Sequence, residues 1–304
     1  MTQPEGLATT GTARGRLGYN KLCNLEDFAH PDLRSTVREV FAHEVGRFGP
    51  DFPRGREYRK YWEVAMGARA LRDAGVLHPK ADVLGVGAGN EPTIFWLTGH
   101  VGRVFATDLY LGTTEDWQQS ANAGMFLHPQ RYWPARWNRR RLVVQHMNAL
   151  DLWHEDESFD AVFSSSSLEH FGTLEEIAQS MREMFRVLKP GGVLSLSTEF
   201  RLAGPKGSGL PGIVLFDAGT LGDYVLGKLA WEPLSQLDLT ASPATLATRQ
   251  PFAEACADLN RHLAREREII FHRLEWARYP HIVLEHEGFT WTSIHLALRK
   301  EKRG

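Results

Sequence analysis

The stretch Asp82-Val83-Leu84-Gly85-Val86-Gly87-Ala88-Gly89-Asn90-Glu91-Pro92 constrains this chain more than any other. Apolar residues run into a glycine-dense turn, and a proline follows where a helix would begin. Glycine has no Cβ, so the backbone can turn sharply there and let a ligand come close. Proline suits a first helical turn, where its missing N–H has no partner to lose. Strand, turn and helix together make a mononucleotide-binding half-site. The dinucleotide fingerprint G-x-G-x-x-G needs a third glycine beside a pyrophosphate. Counted from Gly85 that place holds Asn90, and counted from Gly87 it holds Pro92. A nicotinamide oxidoreductase is therefore disfavoured.

Four further strands are expected downstream. Val104 to Asp108 is apolar and ends in a carboxylate, roughly 20 residues past the turn, where an acid can accept from both ribose hydroxyls. Leu142 to His146 is followed by Asn148. Phe159 to Ser164 leads into Ser165-Ser166-Ser167-Leu168-Glu169-His170-Phe171. A helical pattern through Met184, Phe185 and Val187 then stops at Lys189-Pro190-Gly191-Gly192, before a fifth strand from Val193 to Ser197. Alternating strands and helices imply right-handed crossovers and a parallel sheet.

This order, "FDAVFSSSSLEHF … EMFRVLKPGGVLSLS" after the glycine turn, resembles the class I (Rossmann-like) S-adenosylmethionine (SAM)-dependent methyltransferases. The resemblance covers residues 80–200 closely, 215–240 and 290–300 more loosely, and neither the first 78 residues nor 243–290. It implies a doubly wound, seven-stranded, mostly parallel α/β sheet. The last strand, Thr292 to Leu298, would be antiparallel and inserted between the fifth and a sixth at Ser235 to Thr240, after a helix at 220–229. The expected layout is a flexible tail over 1–20, a helical N-terminal cap over 21–78 and a SAM-binding domain over 79–304. The cap helices are expected near Asp32–Val45 and Arg56–Asp73. The insertion 241–291, with a helix from Phe252 to about Trp276, would serve as a lid, since so long a connection is usually functional. Arg201 to Leu215 is a second candidate cover.

The resemblance implies SAM as cofactor and S-adenosylhomocysteine (SAH) as product, with Gly85, Gly87, Gly89, Glu91, Asp108, Asn148 and Ser164 at the cofactor. The family usually has an acid where Gly85 stands and a glycine where Glu91 stands. Glu91 is expected either to replace the lost acid against the methionine ammonium or merely to favour the helix dipole. Asn148 would meet the adenine amino group, flanked by Met147 and Leu150. The serines of 164–167 supply clearance for the cofactor. His170 is the candidate general base, because histidine's ordinary pKa lies near 6.5 and the residue follows a strand's carboxyl end. Its alternative is a structural hydrogen bond. Glu169 and Glu199 are the reserves. Tyr58, Tyr61 and Trp62 are expected mainly to pack in the core. Trp117 and Phe126 are weaker candidates to cover the adenine or a substrate.

Composition narrows the partners. With 35 basic and 37 acidic side chains, the net charge of −2 gives no footprint for nucleic acid or an anionic membrane. The basic cluster Arg131, Arg136, Arg139, Arg140 and Arg141 reads as a solvated connector whose aromatics pack inward. No apolar run reaches 18 residues, which argues against a membrane span. Cys23 and Cys256 are expected as free thiols in a reducing cytoplasm. The histidines show no metal-ligand spacing. The leading function is methyl transfer by direct displacement to a small-molecule acceptor, with a natural-product intermediate, sugar or glycoside suited to a lidded site. The alternative is a catalytically degenerate SAM-binding or partner protein of the same fold. The oligomeric state is left open.

Overall fold

The computed structural model describes residues 15–111, 123–207, 209–252 and 278–302. Its centre is a sheet of five parallel strands: β1 (Asp82–Val86), β2 (Arg103–Asp108), β3 (Leu142–His146), β4 (Phe159–Ser165) and β5 (Leu188–Ala203). A hairpin of β6 (Leu284–His286) and β7 (Phe289–Lys300) follows. Spatial order runs β3-β2-β1-β4-β5-β7-β6, with β7 antiparallel to β5. The order reverses beside β1, which places the glycine turn at the switch point where α/β sheets take ligands.

Both faces of the sheet are buried, which explains why its strands are apolar throughout. Val83, Ala161, Phe163 and Val193 point to one side, where α1 (Pro31–Val40), α2 (Ala42–Phe48), α3 (Arg59–Asp73) and α4 (Pro92–Leu97) pack. Leu84, Val162, Leu194 and Leu196 point to the other, against α5 (Leu174–Val187). Helix α5 begins with a capping box. Thr173 Oγ1 accepts from the Glu176 amide at 3.2 Å, and Glu176 Oε2 accepts from the Thr173 amide at 2.7 Å. Tyr58, Tyr61 and Trp62 are all buried, so all three belong to packing. In the basic connector Tyr132 and Trp133 turn inward, and Trp133 stacks on Phe95 at 5.9 Å.

Several expectations need correction. Residues 235–240 are not a strand. Beside β7 the place of a sixth strand is shared by three short pieces: Trp231–Pro233, Lys21–Leu22 and β6. The N-terminal segment slots between β7 and residues 235–238. The Ser235 hydroxyl accepts from the amides of Tyr19 (2.8 Å) and Asn20 (2.9 Å), and the Asp238 carbonyl accepts from Leu22 N–H at 3.1 Å. Tyr19 and Asn20 are buried, so the tail boundary at 20 falls inside structure. The first cap helix is divided at Phe41, and the helix expected at 220–229 is instead Ala218–Thr220 followed by a π-helical turn at Leu221–Leu226. Strand β5 is far longer than its apolar core, because β7 pairs with it from Val193 to Ala203. The lid helix, Trp117 and Cys256 lie outside the described residues. Cys23 is a buried free thiol.

Candidate cofactor and acceptor site

Geometry at the turn begins with two glycines in the left-handed region, Gly87 at φ 61° and Gly89 at φ 49°. A Cβ on Gly87 would sit 2.7 Å from Ser167 Cβ and 2.8 Å from the Phe171 ring. The loop after β4 thus lies directly on the glycine turn, tied there by Ser167 Oγ donating to the Gly87 carbonyl at 2.5 Å. Gly89 is open, with Asp108 Oδ2 the nearest atom to a built Cβ at 3.9 Å. Gly85 is a different case. It is buried, and a Cβ would meet Phe163 Cζ at 2.5 Å, so the space an acidic side chain would use is filled by a ring.

Asp108 ends β2 facing that turn. Its Oδ2 accepts from the Gly89 amide at 2.8 Å and its Oδ1 from the Leu109 amide at 2.6 Å. Burial pushes its carboxyl upward, and the two amides oppose that shift. Each oxygen keeps a second lone pair for a hydroxyl. Tyr110 braces the turn by donating to the Gly89 carbonyl at 2.6 Å, and Phe126 meets the Tyr110 ring edge-on at 5.4 Å. Asn148 is exposed, and its Oδ1 accepts from the Leu150 amide at 3.0 Å, shaping the loop beside buried Met147. Ser164 is fully buried on the α5 side of β4, and its hydroxyl has no partner. Ser166 and Ser167, which follow it, are half-buried and donate to Glu63 and to the Gly87 carbonyl.

The acidic candidates fall into distinct environments. Glu169 is buried and accepts from Thr198 Oγ1 at 2.8 Å. Burial raises its carboxyl, with His170 and Lys60 pulling the other way and Glu199 adding to the rise. Glu199 lies on the α3 side, with Oε1 ion-paired to Arg59 and 3.6 Å from Lys60, while its buried Oε2 has no partner. Burial would raise it, yet Arg59 and Lys60 outweigh that and hold it down. The lowered carboxyl makes Glu199 a poor proton acceptor at neutral pH. Glu91 stands at the start of α4 without capping it, half-buried, and burial pushes it up to about 8.

His170 occupies the turn after β4. Its Nδ1 lies 2.8 Å from the Gly212 carbonyl, which requires Nδ1–H and so leaves the lone pair of the neutral ring on Nε2. Gly212 belongs to the Arg201–Leu215 stretch, so that stretch meets the turn carrying His170.

Sequence reasoning missed the charged start of α3. Glu63 Oε2 accepts from Ser166 Oγ at 2.5 Å, its Oε1 accepts from Ser293 Oγ, and Lys60 reaches both Glu63 and Ser166. Three charges among the buried aromatics of Arg59-Lys60-Tyr61-Trp62-Glu63 are the available signal, since burying a charge is costly unless it is paired. His281 packs over the same start, its carbonyl accepting from Arg59 N–H at 3.0 Å, and burial drives its imidazole down to about 3. Among the described residues no cluster of His, Cys, Asp and Glu could hold a metal, and no helix is long and apolar enough to cross a membrane.

Left-handed glycines at the switch point and an acid at the end of the next strand mark a Rossmann-like fold. Residues 84–196 match the methyltransferase domain family. Over that stretch the chain is similar to the methyltransferases that use SAM. Over 165 residues it is 26% identical to the hybrid PKS-NRPS synthetase tasS of Hapsidospora irregularis; the match takes in 53% of this chain but only 4% of that synthetase. A solved structure of a candidate sarcosine dimethylglycine methyltransferase from Galdieria sulphuraria has the same fold. Its TM-score is 0.50 at 16% identity, covering 78% of this chain and 85% of that one.

Proposed function

We propose that the protein methylates a small-molecule acceptor by direct displacement, with His170 as general base. The observation that carries this reading is the His170–Gly212 hydrogen bond, which sets the tautomer a base needs. Gly87 and Gly89 would hold the cofactor through their backbone, Asp108 its ribose, and Asn148 with Met147 its adenine. When bound, SAM supplies an electrophilic methyl group on a sulfonium. The protein's own work is positioning, exclusion of water and acceptance of one proton. His170 Nε2 takes that proton as the acceptor's oxygen or nitrogen gains the methyl. Glu169 and Glu199 support the turn and α3 rather than acting as bases. The kinship with a hybrid PKS-NRPS synthetase favours a natural-product intermediate as acceptor.

Incubating the protein with methyl-labelled SAM and fractionated cell extract tests this. Label is expected in the small-molecule fraction. His170→Asn should lower transfer by about a hundredfold or more while SAM binding persists. Cofactor bound with no label transferred to any fraction would favour the degenerate, non-catalytic alternative. Label entering only protein or nucleic acid would refute the acceptor class.

A further inference from the structure

Four glutamates lie around Lys60, and three have a bonded partner. Glu63 and Glu199 are held by Arg59 and Lys60, and Glu169 by Thr198. Among the described residues the Glu91 carboxylate makes no hydrogen bond and no ion pair. The charged groups facing it are Lys60 and Glu63 from α3 and Glu169 from the turn after β4. The single cation among them is already engaged with Glu63 and Ser166. A half-buried carboxylate so placed needs either a proton or a cation from a ligand. The end of β1 offers that cation no other acid, because Phe163 closes the space at Gly85.

We propose that Glu91 meets the ammonium of the cofactor's methionine arm and gives up a proton when that ammonium arrives. This rests on the cofactor binding at the glycine turn. The exchange balances: an O–H bond on Glu91 breaks, the proton passes to solvent, and the ligand brings its charge already formed. Burial keeps the ligand-free carboxyl protonated up to about pH 8, and the ammonium favours the ionised form. Binding therefore releases a proton between the lowered pKa of the complex and about 8. Affinity rises with pH across that window and levels off above it.

Calorimetric titration of the full chain with SAH, in buffers of differing ionisation enthalpy at pH 6 to 8.5, reads the proton count directly. The parent should release close to one proton near pH 7, with affinity rising about tenfold per pH unit below pH 7.5. SAH lacking its amino group should release none, and its affinity should not follow pH. Glu91→Gln should bind SAH without the proton release. Should that variant fail to fold, the two ligands on the unmodified protein still decide the matter. Binding by the parent with no proton released, or equal release by both ligands or by Glu91→Gln, overturns the inference alone. No binding of SAM or SAH by the parent overturns the cofactor reading with it.

Discussion

Gly85 shows how one contact decides what a motif can carry. A side chain there would drive a Cβ to 2.5 Å from a buried ring and 2.9 Å from Ala88 Cβ. The ring belongs to Phe163, whose face of β4 is fixed by strand alternation and by packing under the N-terminal helices. Gly85→Ala should therefore lower stability by about 1–3 kcal/mol, as overpacking does in tight cores. Urea unfolding checks this, and a variant as stable as the parent would mean that the ring yields and does not exclude an acid. The departure at Gly85 was visible in the sequence. Its cause was not, because Phe163 lies far along the chain. The same holds for the Arg59–Glu199 pair, which joins two residues 140 positions apart.

Elements with strong local signals were readable and edge elements were not. The turn after β1, the acid ending β2 and the helix α5 all carry their own punctuation, and the structure places them where spacing predicts. The sixth-strand position has no such signal. Its occupant is chosen by which backbone groups find partners on β7, and Lys21–Leu22 wins through Ser235, Asp238 and His295. Buried His295 donates from Nδ1 to the Tyr19 carbonyl at 2.7 Å and lies 3.0 Å from Ser195 Oγ. Burial lowers its pKa to about 4. A depressed histidine pKa means the unfolded chain binds more protons between about 6.5 and 4, so stability falls as pH drops through that window. His295→Gln should lose less stability than the parent between pH 7 and pH 4.5 in urea titrations. Equal acid sensitivity in the two proteins would show that His295 is not what ties the N-terminal segment to pH.

At the scale of the whole molecule, the sheet brings three independent chain regions to one mouth: the start of α3, the carboxyl ends of β1, β2, β4 and β5, and the segment after residue 278. The parallel half was legible because its alternation of strands and helices is local and repeated. The charged cluster beside it was not, because Arg59, Lys60 and Glu63 come from α3 and Glu199 from β5, with the Ser293 hydroxyl of β7 joining them. If the glycine turn and Asp108 hold the cofactor's ribose, calorimetric titration of SAM separates the parent from Asp108→Ala. The parent should bind SAM at low-micromolar affinity or tighter. Loss of charge-assisted hydrogen bonds worth about 1.5–3 kcal/mol should weaken the variant by about ten- to a hundredfold. Equal affinity for SAM in a correctly folded Asp108→Ala protein would contradict that ribose placement.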